Sequence, residues 1–209
     1  MSKHSRVIAF ALLLAGAAPA SAARVRKWPF FEGTAGTVVP IGAKAYQDTA
    51  RISPLGGFRA GAYFEAPGAP HRIGFEIGFD FTYLFNGLAR DQFADSDIYR
   101  LRLMGGARYE VPVGGRAYAF GRLMGGVDMV IGSVDDYAAG TYIREEAVSL
   151  GPVVSPGGGL VWRFDDFNIG AQGGLPISYH YDGDHADRTP DFDYLGIELE
   201  ALFSIGGEW

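Results

Sequence analysis

The stretch from Ile73 to Phe85 constrains the fold of this chain most strongly, because large apolar residues occupy every second position in it. Side chains alternate between the two faces of a β-strand, so one face of this stretch is apolar while the other carries glycine, carboxylate and hydroxyl groups. Thirteen residues at about 3.3 Å each reach roughly 43 Å, which lets a tilted strand cross a bilayer. The pattern therefore predicts a transmembrane β-strand. The apolar positions are Ile73, Phe75, Ile77, Phe79, Phe81, Tyr83 and Phe85.

The first 22 residues are predicted to be a secretory signal peptide. Lys3 and Arg6 precede an apolar run over residues 7–17, and Ala20-Ser21-Ala22 offers a small-x-small cleavage site. That run is too short to span a membrane, and no run of 18 or more apolar residues follows it, so we expect no helical span. Residues 23–209 are expected to form a single exported domain.

The composition of the chain disfavours several other classes of protein. There is no cysteine, so an exported domain of this kind is not stabilised by disulfides. The 31 glycines and the aromatic share of 14% fit closely packed strands better than collagen or disorder. Cleavage would remove two of the 18 basic residues and leave 16 against 24 acidic ones, which argues against a nucleic-acid partner.

The same two-residue alternation recurs along the chain and predicts further strands. Clear ones cover residues 57–66, 99–111, 117–131, 167–181 and 194–205, and less regular ones lie over 153–164 and within 30–41. The total is eight strands. Between them the connections alternate between long loops and tight turns, which is typical of an outer-membrane barrel with loops outside the cell and turns in the periplasm. The expected loops are residues 42–53, 87–96, 132–152 and 182–191, and the expected turns are 67–70, 112–115 and 165–166.

With these features the chain resembles the small eight-stranded outer-membrane barrels, of the OmpX and Ail type and the membrane domain of outer membrane protein A. The resemblance covers about residues 30–209 and is clearest over 73–85 and 194–203. It implies an all-β, eight-stranded antiparallel transmembrane β-barrel in a Gram-negative outer membrane, surrounded by lipid and lipopolysaccharide and inserted by the barrel-assembly machinery. Members close with a terminal aromatic residue, and here either Phe203 or Trp209 takes that position, since Gly206 and Gly207 interrupt the alternation.

The inward faces of the predicted strands collect charged residues of both signs. An eight-stranded barrel is narrow enough for side chains to fill it, and buried charges are costly unless they are paired. We therefore interpret these residues as a salt-bridge network that fills the lumen; the alternative is a narrow, porin-like ion pathway gated by an exchange of partners. The set is Arg59, Glu65, Glu76, Asp80, Arg100, Arg102, Arg108, Glu110, Arg122, Asp128, Arg163, Glu198 and Glu200.

A lipid A-modifying enzyme is a second alternative, because such enzymes share this scaffold. Similarity to the outer-membrane palmitoyltransferase would require a histidine in the first outer loop and an Asp-Ser pair in the second; Asp95-Ser96 is present, but residues 42–53 contain no histidine. Similarity to the lipid A deacylase would require His-x-Ser on a membrane-facing strand, whereas Ser178-Tyr179-His180 has the reverse order and both of its polar residues are expected to point inward. The sequence thus predicts a non-catalytic protein without a cofactor.

The outer loops are the candidate recognition elements. Residues 132–152 form the longest predicted loop, and its Tyr137, Tyr142 and Arg144 are residue types that carry binding energy at interfaces. We predict that they serve adhesion or bind an extracellular or envelope partner, beside a role of the barrel in envelope structure. The loop over residues 182–191 is rich in Asp and His but lacks the spacing of an EF-hand, so no metal site is predicted there.

Overall fold

The alternating stretches of the sequence form long antiparallel strands. The computed structural model describes residues 26–41, 52–65, 68–84, 96–138, 141–180 and 194–209. Within these ranges no helix is long and apolar enough to cross a membrane. The strands are β1 (Arg26–Pro40), β2 (Ser53–Glu65), β3 (Arg72–Leu84), β4 (Ser96–Gly114), β5 (Ala117–Ala138), β6 (Thr141–Arg163), β7 (Asn168–Gly174), β8 (Ile177–His180) and β9 (Tyr194–Glu208).

Segments β7 and β8 together form one strand of the barrel, interrupted at Leu175 and Pro176. Both segments pair with β6 on one side and with β9 on the other. Proline has no N–H to donate to a strand ladder, which accounts for the break. The gap stays tied to its neighbours, because Leu175 N donates to Pro156 O and Glu198 N donates to Pro176 O. The predicted single strand over residues 167–181 is thus one strand in two pieces.

The barrel closes by pairing of β1 with β9, from Phe30 opposite Glu208 to Pro40 opposite Glu198. Every pairing around the sheet is antiparallel, and the strand order follows the chain. Strand β9 continues through Gly206 and Gly207, so Phe203 lies well before its end. Beyond β9, Trp209 N donates to Pro29 O at 3.1 Å.

The two faces of the wall differ as the alternation predicts. Large apolar side chains on the outside are exposed, and no other part of the described chain covers them, whereas charged side chains on the inside are buried. A belt of this kind is stable only when lipid surrounds it. The prediction of an eight-stranded antiparallel transmembrane β-barrel is confirmed. Exposed members of the belt include Phe31, Phe58, Phe64, Ile73, Phe75, Ile77, Phe81, Leu103, Leu123, Val127, Leu199, Phe203 and Ile205.

The two ends of the barrel are distinct. At one, the turn end, short connections join β2 to β3, β4 to β5 and β6 to β7, and β1 begins and β9 ends there. Gly68, with φ of 78°, and Gly115, with φ of 56°, supply the left-handed conformations that the first two of these connections need. At the other, the loop end, residues 41–52, 85–95 and 181–193 connect the strands, and most of these lie outside the described residues.

The predicted loop over residues 132–152 is wrong. Strand β5 continues to Ala138 and β6 begins at Thr141, and the two pair without a register shift from Gly132 opposite Ala147 to Ala138 opposite Thr141. Beyond the membrane no lipid contacts the strands, so no apolar face is required there and the alternation fades while backbone pairing continues. Residues 133–147 thus form a paired antiparallel ribbon that extends β5 and β6, here called the β5–β6 ribbon.

Candidate functional site

The charged residues that the sequence places inside the barrel lie in its interior or at its rim. Glu65 and Arg163 are partly exposed at the turn end. The other eleven are buried. By comparison, the cluster of buried apolar side chains among the described residues contains only Met104, Met124 and Val153. The buried ones are Arg59, Glu76, Asp80, Arg100, Arg102, Arg108, Glu110, Arg122, Asp128, Glu198 and Glu200.

Nearest the loop end, two arginines of β4 bind carboxylates from β5 and β9, in a group here called the loop-end cluster (Arg100, Arg102, Asp128, Glu198, Glu200). Both guanidinium groups contact Glu198 directly and lie 3.2–3.3 Å from the two oxygens of Asp128. Arg102 Nη1 is also 2.6 Å from Glu200 Oε1. Since β4 and β9 are not neighbouring strands, these ion pairs cross the interior of the barrel.

The central part of the interior is less tightly paired. Arg59 donates two hydrogen bonds to the Asp80 carboxylate, at 2.6 and 2.8 Å, between the adjacent strands β2 and β3. Arg122 Nη1 donates to Gln172 Oε1 at 2.9 Å but lies 3.9 Å from Glu76 Oε1. Neither oxygen of Glu76 accepts a hydrogen bond from the described residues. Around Glu76 the centre thus holds charges of both signs at distances that exceed direct hydrogen bonding.

Arg108 dominates the interior towards the turn end. Its guanidinium lies 3.2 Å from Glu32, 2.9 Å from Glu110 and 3.7 Å from Glu76. It also stacks over the ring of Phe120, with 3.8 Å between the guanidinium carbon and the ring centroid. A planar guanidinium suits this position, since it presents donors at its edge and packs its face on an aromatic ring.

The rim of the turn end carries a second set of ion pairs. Arg163 contacts both Glu110 and Glu208, and Arg72 Nη1 is 2.8 Å from Glu208 Oε2 and its Nε is 3.4 Å from Glu65. Glu208 thus joins the last residues of β9 to β3 and β6. These contacts pin the end of the closing strand to the barrel rim.

Sequence reasoning missed Glu32, Arg72 and Glu208. Glu32 is buried in β1, where the neighbouring Phe30 points inward and Phe31 points outward, so two adjacent aromatic residues conceal the alternation. Arg72 and Glu208 lie at strand ends, outside the predicted strands. The signal for Glu32 was its position two residues after Phe30, once the inward face of β1 is known.

Ser149, His180 and Asp128 form a row of contacts at the edge of the loop-end cluster, with His180 in the middle. Ser149 Oγ is 3.3 Å from His180 Nδ1, and His180 Nε2 is 3.4 Å from Asp128 Oδ2. All three side chains are buried, with Ser149 7% exposed. Asp128 also contacts Arg100 and Arg102. The inward direction expected for Ser178 and His180 is observed, since both are buried.

The candidate binding residues occupy the β5–β6 ribbon rather than a loop. Tyr137 of β5 stands opposite Tyr142 of β6, and Asp135 stands opposite Arg144. Asp95 and the predicted loop over residues 182–191 lie outside the described residues. Among the described residues, no group of three His, Cys, Asp or Glu side chains is arranged to hold a metal ion.

A small cleft opens at the turn end, beside the Arg163–Glu208 ion pair. Its volume is about 140 Å³. The first residues of β1, β3 and β7, the last residues of β6 and β9 and the short β6–β7 connection surround it. Its lining consists of Trp28, Arg72, Arg163, Phe164, Asp165, Asp166, Phe167, Asn168 and Glu208.

Comparison with solved structures finds the same architecture. The crystal structure of Neisserial surface protein A matches with a TM-score of 0.50 at 9% identity, over 88% of this chain and 97% of that one. The chain has the fold of the eight-stranded membrane barrels. Ail, the attachment invasion locus protein of Yersinia pestis, matches with a TM-score of 0.46 at 15% identity, over 88% of this chain and 98% of that one. The N-terminal β-barrel domain of Pseudomonas aeruginosa OprF matches with a TM-score of 0.41 at 13% identity, over 89% of this chain and 100% of that one.

No protein-family model matches the sequence, and no curated protein matches it. At identities this low the likeness concerns the backbone, and the residues of the interior must be interpreted from their own contacts.

Proposed function

We propose that this protein is a non-catalytic barrel of a Gram-negative outer membrane, whose ion-paired interior closes the lumen and whose loop end is available for adhesion or partner binding. The loop-end cluster carries the proposal. Arg102 joins β4 to β9, so its side chain crosses the path that an ion would take. Displacing it would leave buried charges without partners, which is costly.

The exposed apolar belt supports location in a membrane. Leu103, Leu123 and Val127 are each more than half exposed at strand positions that face away from the interior. Among bacterial membranes, barrels of this type belong to the outer one. Fractionation of cells with paired heated and unheated gel lanes tests this: a fast-migrating unheated band in the outer-membrane fraction is expected. A periplasmic protein with no heat-dependent shift would contradict the proposed location.

Conductance measurements test whether the interior closes the lumen. In planar bilayers the wild-type barrel is expected to give no steady current, whereas an Arg102→Ser/Glu198→Ser variant, which lacks two of the crossing side chains, conducts. Arg116→Ser is the matched control, because Arg116 is an exposed arginine at the turn end whose ion pair with Asp165 spans 3.7 Å. A steady wild-type current that Glu198→Trp abolishes would establish the narrow pore instead.

The β5–β6 ribbon is the proposed recognition element. It extends β5 and β6 past Gly132 and Ala147, and its register places Tyr137 opposite Tyr142. Tyrosine side chains supply contact area at low cost in conformational entropy.

Adherence assays test the ribbon. Cells that display the barrel are expected to adhere to epithelial monolayers, and Tyr137→Ser/Tyr142→Ser is expected to lower that adherence without changing surface expression. Asp165→Asn, at the opposite end of the barrel, is the control. Equal adherence of cells with and without the barrel would remove support for an adhesive role.

A further inference from the structure

The cleft at the turn end presents hydrogen-bonding groups that the protein itself leaves without partners. Asn168, at the start of β7, is 1% exposed, yet neither its amide nitrogen nor its amide oxygen has a hydrogen-bond partner among the described residues. Trp28 Nε1 and Arg163 Nη1 are likewise buried and find no hydrogen-bond partner in the described part of the chain. All three residues line the same cleft. Most buried polar groups in proteins are hydrogen-bonded, so four such atoms around one cavity indicate a site for a polar group.

The guanidinium groups at the cleft are already paired within the protein. Arg163 binds Glu110 and Glu208 through its other nitrogens, and Arg72 binds Glu208. With Glu65 beside Arg72, carboxylates outnumber guanidinium groups at this rim. An anionic group would therefore meet net negative charge, and the unpartnered donors fit a neutral group.

The pattern of donors and acceptors fits an amide. Trp28 Nε1, Arg163 Nη1 and Asn168 Nδ2 donate, and Asn168 Oδ1 accepts. A peptide group has one carbonyl oxygen that accepts two hydrogen bonds and one N–H that donates one. The cleft volume of about 140 Å³ equals roughly four or five water molecules at about 30 Å³ each, so it accommodates a peptide group with a small side chain.

The aromatic residues at the cleft argue against a sugar. Sugars pack their rings on free aromatic faces, but here Arg72 lies over the ring of Trp28, at 5.7 Å from its centroid. Phe164 and Phe167 stack on one another with their ring centroids 4.7 Å apart. The aromatic surface is thus largely engaged inside the protein.

We propose that this cleft binds a peptide group of an extended polypeptide. The peptide carbonyl accepts from Arg163 Nη1 and Trp28 Nε1, and the peptide N–H donates to Asn168 Oδ1. The proposal rests on the proposed function for its orientation, because the turn end then faces the periplasm and the polypeptide belongs to a periplasmic protein. The binding itself does not depend on closure of the lumen or on adhesion.

Nuclear magnetic resonance of the full barrel in detergent micelles tests this. The probe is dialanine with an acetyl group at one end and an N-methylamide at the other. Titration is expected to shift the indole N–H resonance of Trp28 saturably, and to leave that of Trp162, on the outer face of β6, unchanged. Asn168→Leu is expected to weaken binding about tenfold through loss of its hydrogen bonds. Ser178→Ala, an inward-facing change at β8, is the control and is expected to bind as the wild type does.

Asn168→Asp keeps the shape of the side chain and the acceptor at Oδ1, so it is expected to bind the blocked peptide even if the leucine variant folds poorly, and loss of binding in a folded Asn168→Asp barrel would contradict the assigned role of Oδ1. Acetate and N-acetylglucosamine are titrated separately. The absence of any saturable shift would show that the cleft holds only water and would overturn the proposal. Tighter binding of acetate, or of the sugar, than of the blocked peptide would overturn it as well. Because the assay uses micelles, its failure leaves the proposed membrane location and closed lumen standing.

Discussion

The guanidinium group of Arg102 on β4 binds Glu198 and Glu200 on β9, a strand four positions away in either direction around the barrel. The same group lies 3.2 Å from Asp128 on β5. One side chain thus contacts three buried carboxylates and, with the glutamates it meets, bridges opposite walls of the barrel. This contact links the stability of the barrel to the closure of its lumen.

Removal of Arg102 should strongly destabilise the barrel. Arg102→Ala leaves three buried carboxylates short of a partner, and breaking a buried ion pair costs about 3–5 kcal/mol. Urea titration of the refolded protein in micelles, followed by the heat-dependent gel shift, measures this cost. Arg116→Ala removes an exposed arginine and is expected to change the free energy of unfolding by less than about 1 kcal/mol. Equal effects of the two variants would contradict a stabilising role for the crossing ion pairs.

The outer face of β3 should reject a charge. Ile77 is 48% exposed near the middle of its strand, and Ile77→Arg would place a cation against hydrocarbon, at a cost of about 2–4 kcal/mol for a barrel in a bilayer. Val113 is 57% exposed but lies at the turn end, where the same change costs about 0–1 kcal/mol. The free energies of unfolding of the Ile77→Arg and Val113→Arg variants, measured in lipid vesicles, give the comparison. A similar cost at both positions would mean that Ile77 does not lie in the hydrocarbon region.

Gly126 should tolerate no side chain. A Cβ there would overlap the carbonyl oxygen of Leu103 and lie 2.8 Å from the Met104 Cα, both in the backbone of β4. Gly126→Ala is therefore expected to lower the free energy of unfolding by about 1–3 kcal/mol, because the strands must shift apart. Gly121→Ala lies on the same strand with nothing within 4 Å of the added carbon, and should be near neutral. A neutral result at Gly126 would show that β4 and β5 adjust freely.

The Ser149–His180–Asp128 group should not modify lipid A. Its members are buried inside the wall, whereas lipid A would approach from the membrane, so Ser149→Ala and His180→Gln are expected to leave lipid A unchanged. Mass spectrometry of lipid A from cells with the wild-type barrel, with each variant and without the gene makes the comparison. A modification that requires both the barrel and Ser149 would establish the enzyme that the sequence analysis kept as an alternative.

The part of the fold that the sequence predicts well is the part in contact with lipid. In β3 and β4 each outward position must be apolar, so the sequence alone shows that Phe75 and Leu103 point outward. Their neighbours Glu76 and Arg102 must then point into the barrel, as the structure shows. Where that requirement ends, prediction fails. The sequence predicts a loop where the ribbon of Tyr137 and Tyr142 lies, because outside the bilayer neither face of a strand has to be apolar.

The sequence by itself determined the number of barrel strands, the direction of most charged side chains and the alternation of connections, because each follows from local periodicity. Only the tertiary structure decided which charges meet: Arg102 and Glu198 are 96 residues apart in the chain and come together through closure of β1 on β9. It also brought Trp28, Arg163 and Asn168 around one cleft. These groupings depend on the register and curvature of the closed sheet, which no local pattern encodes.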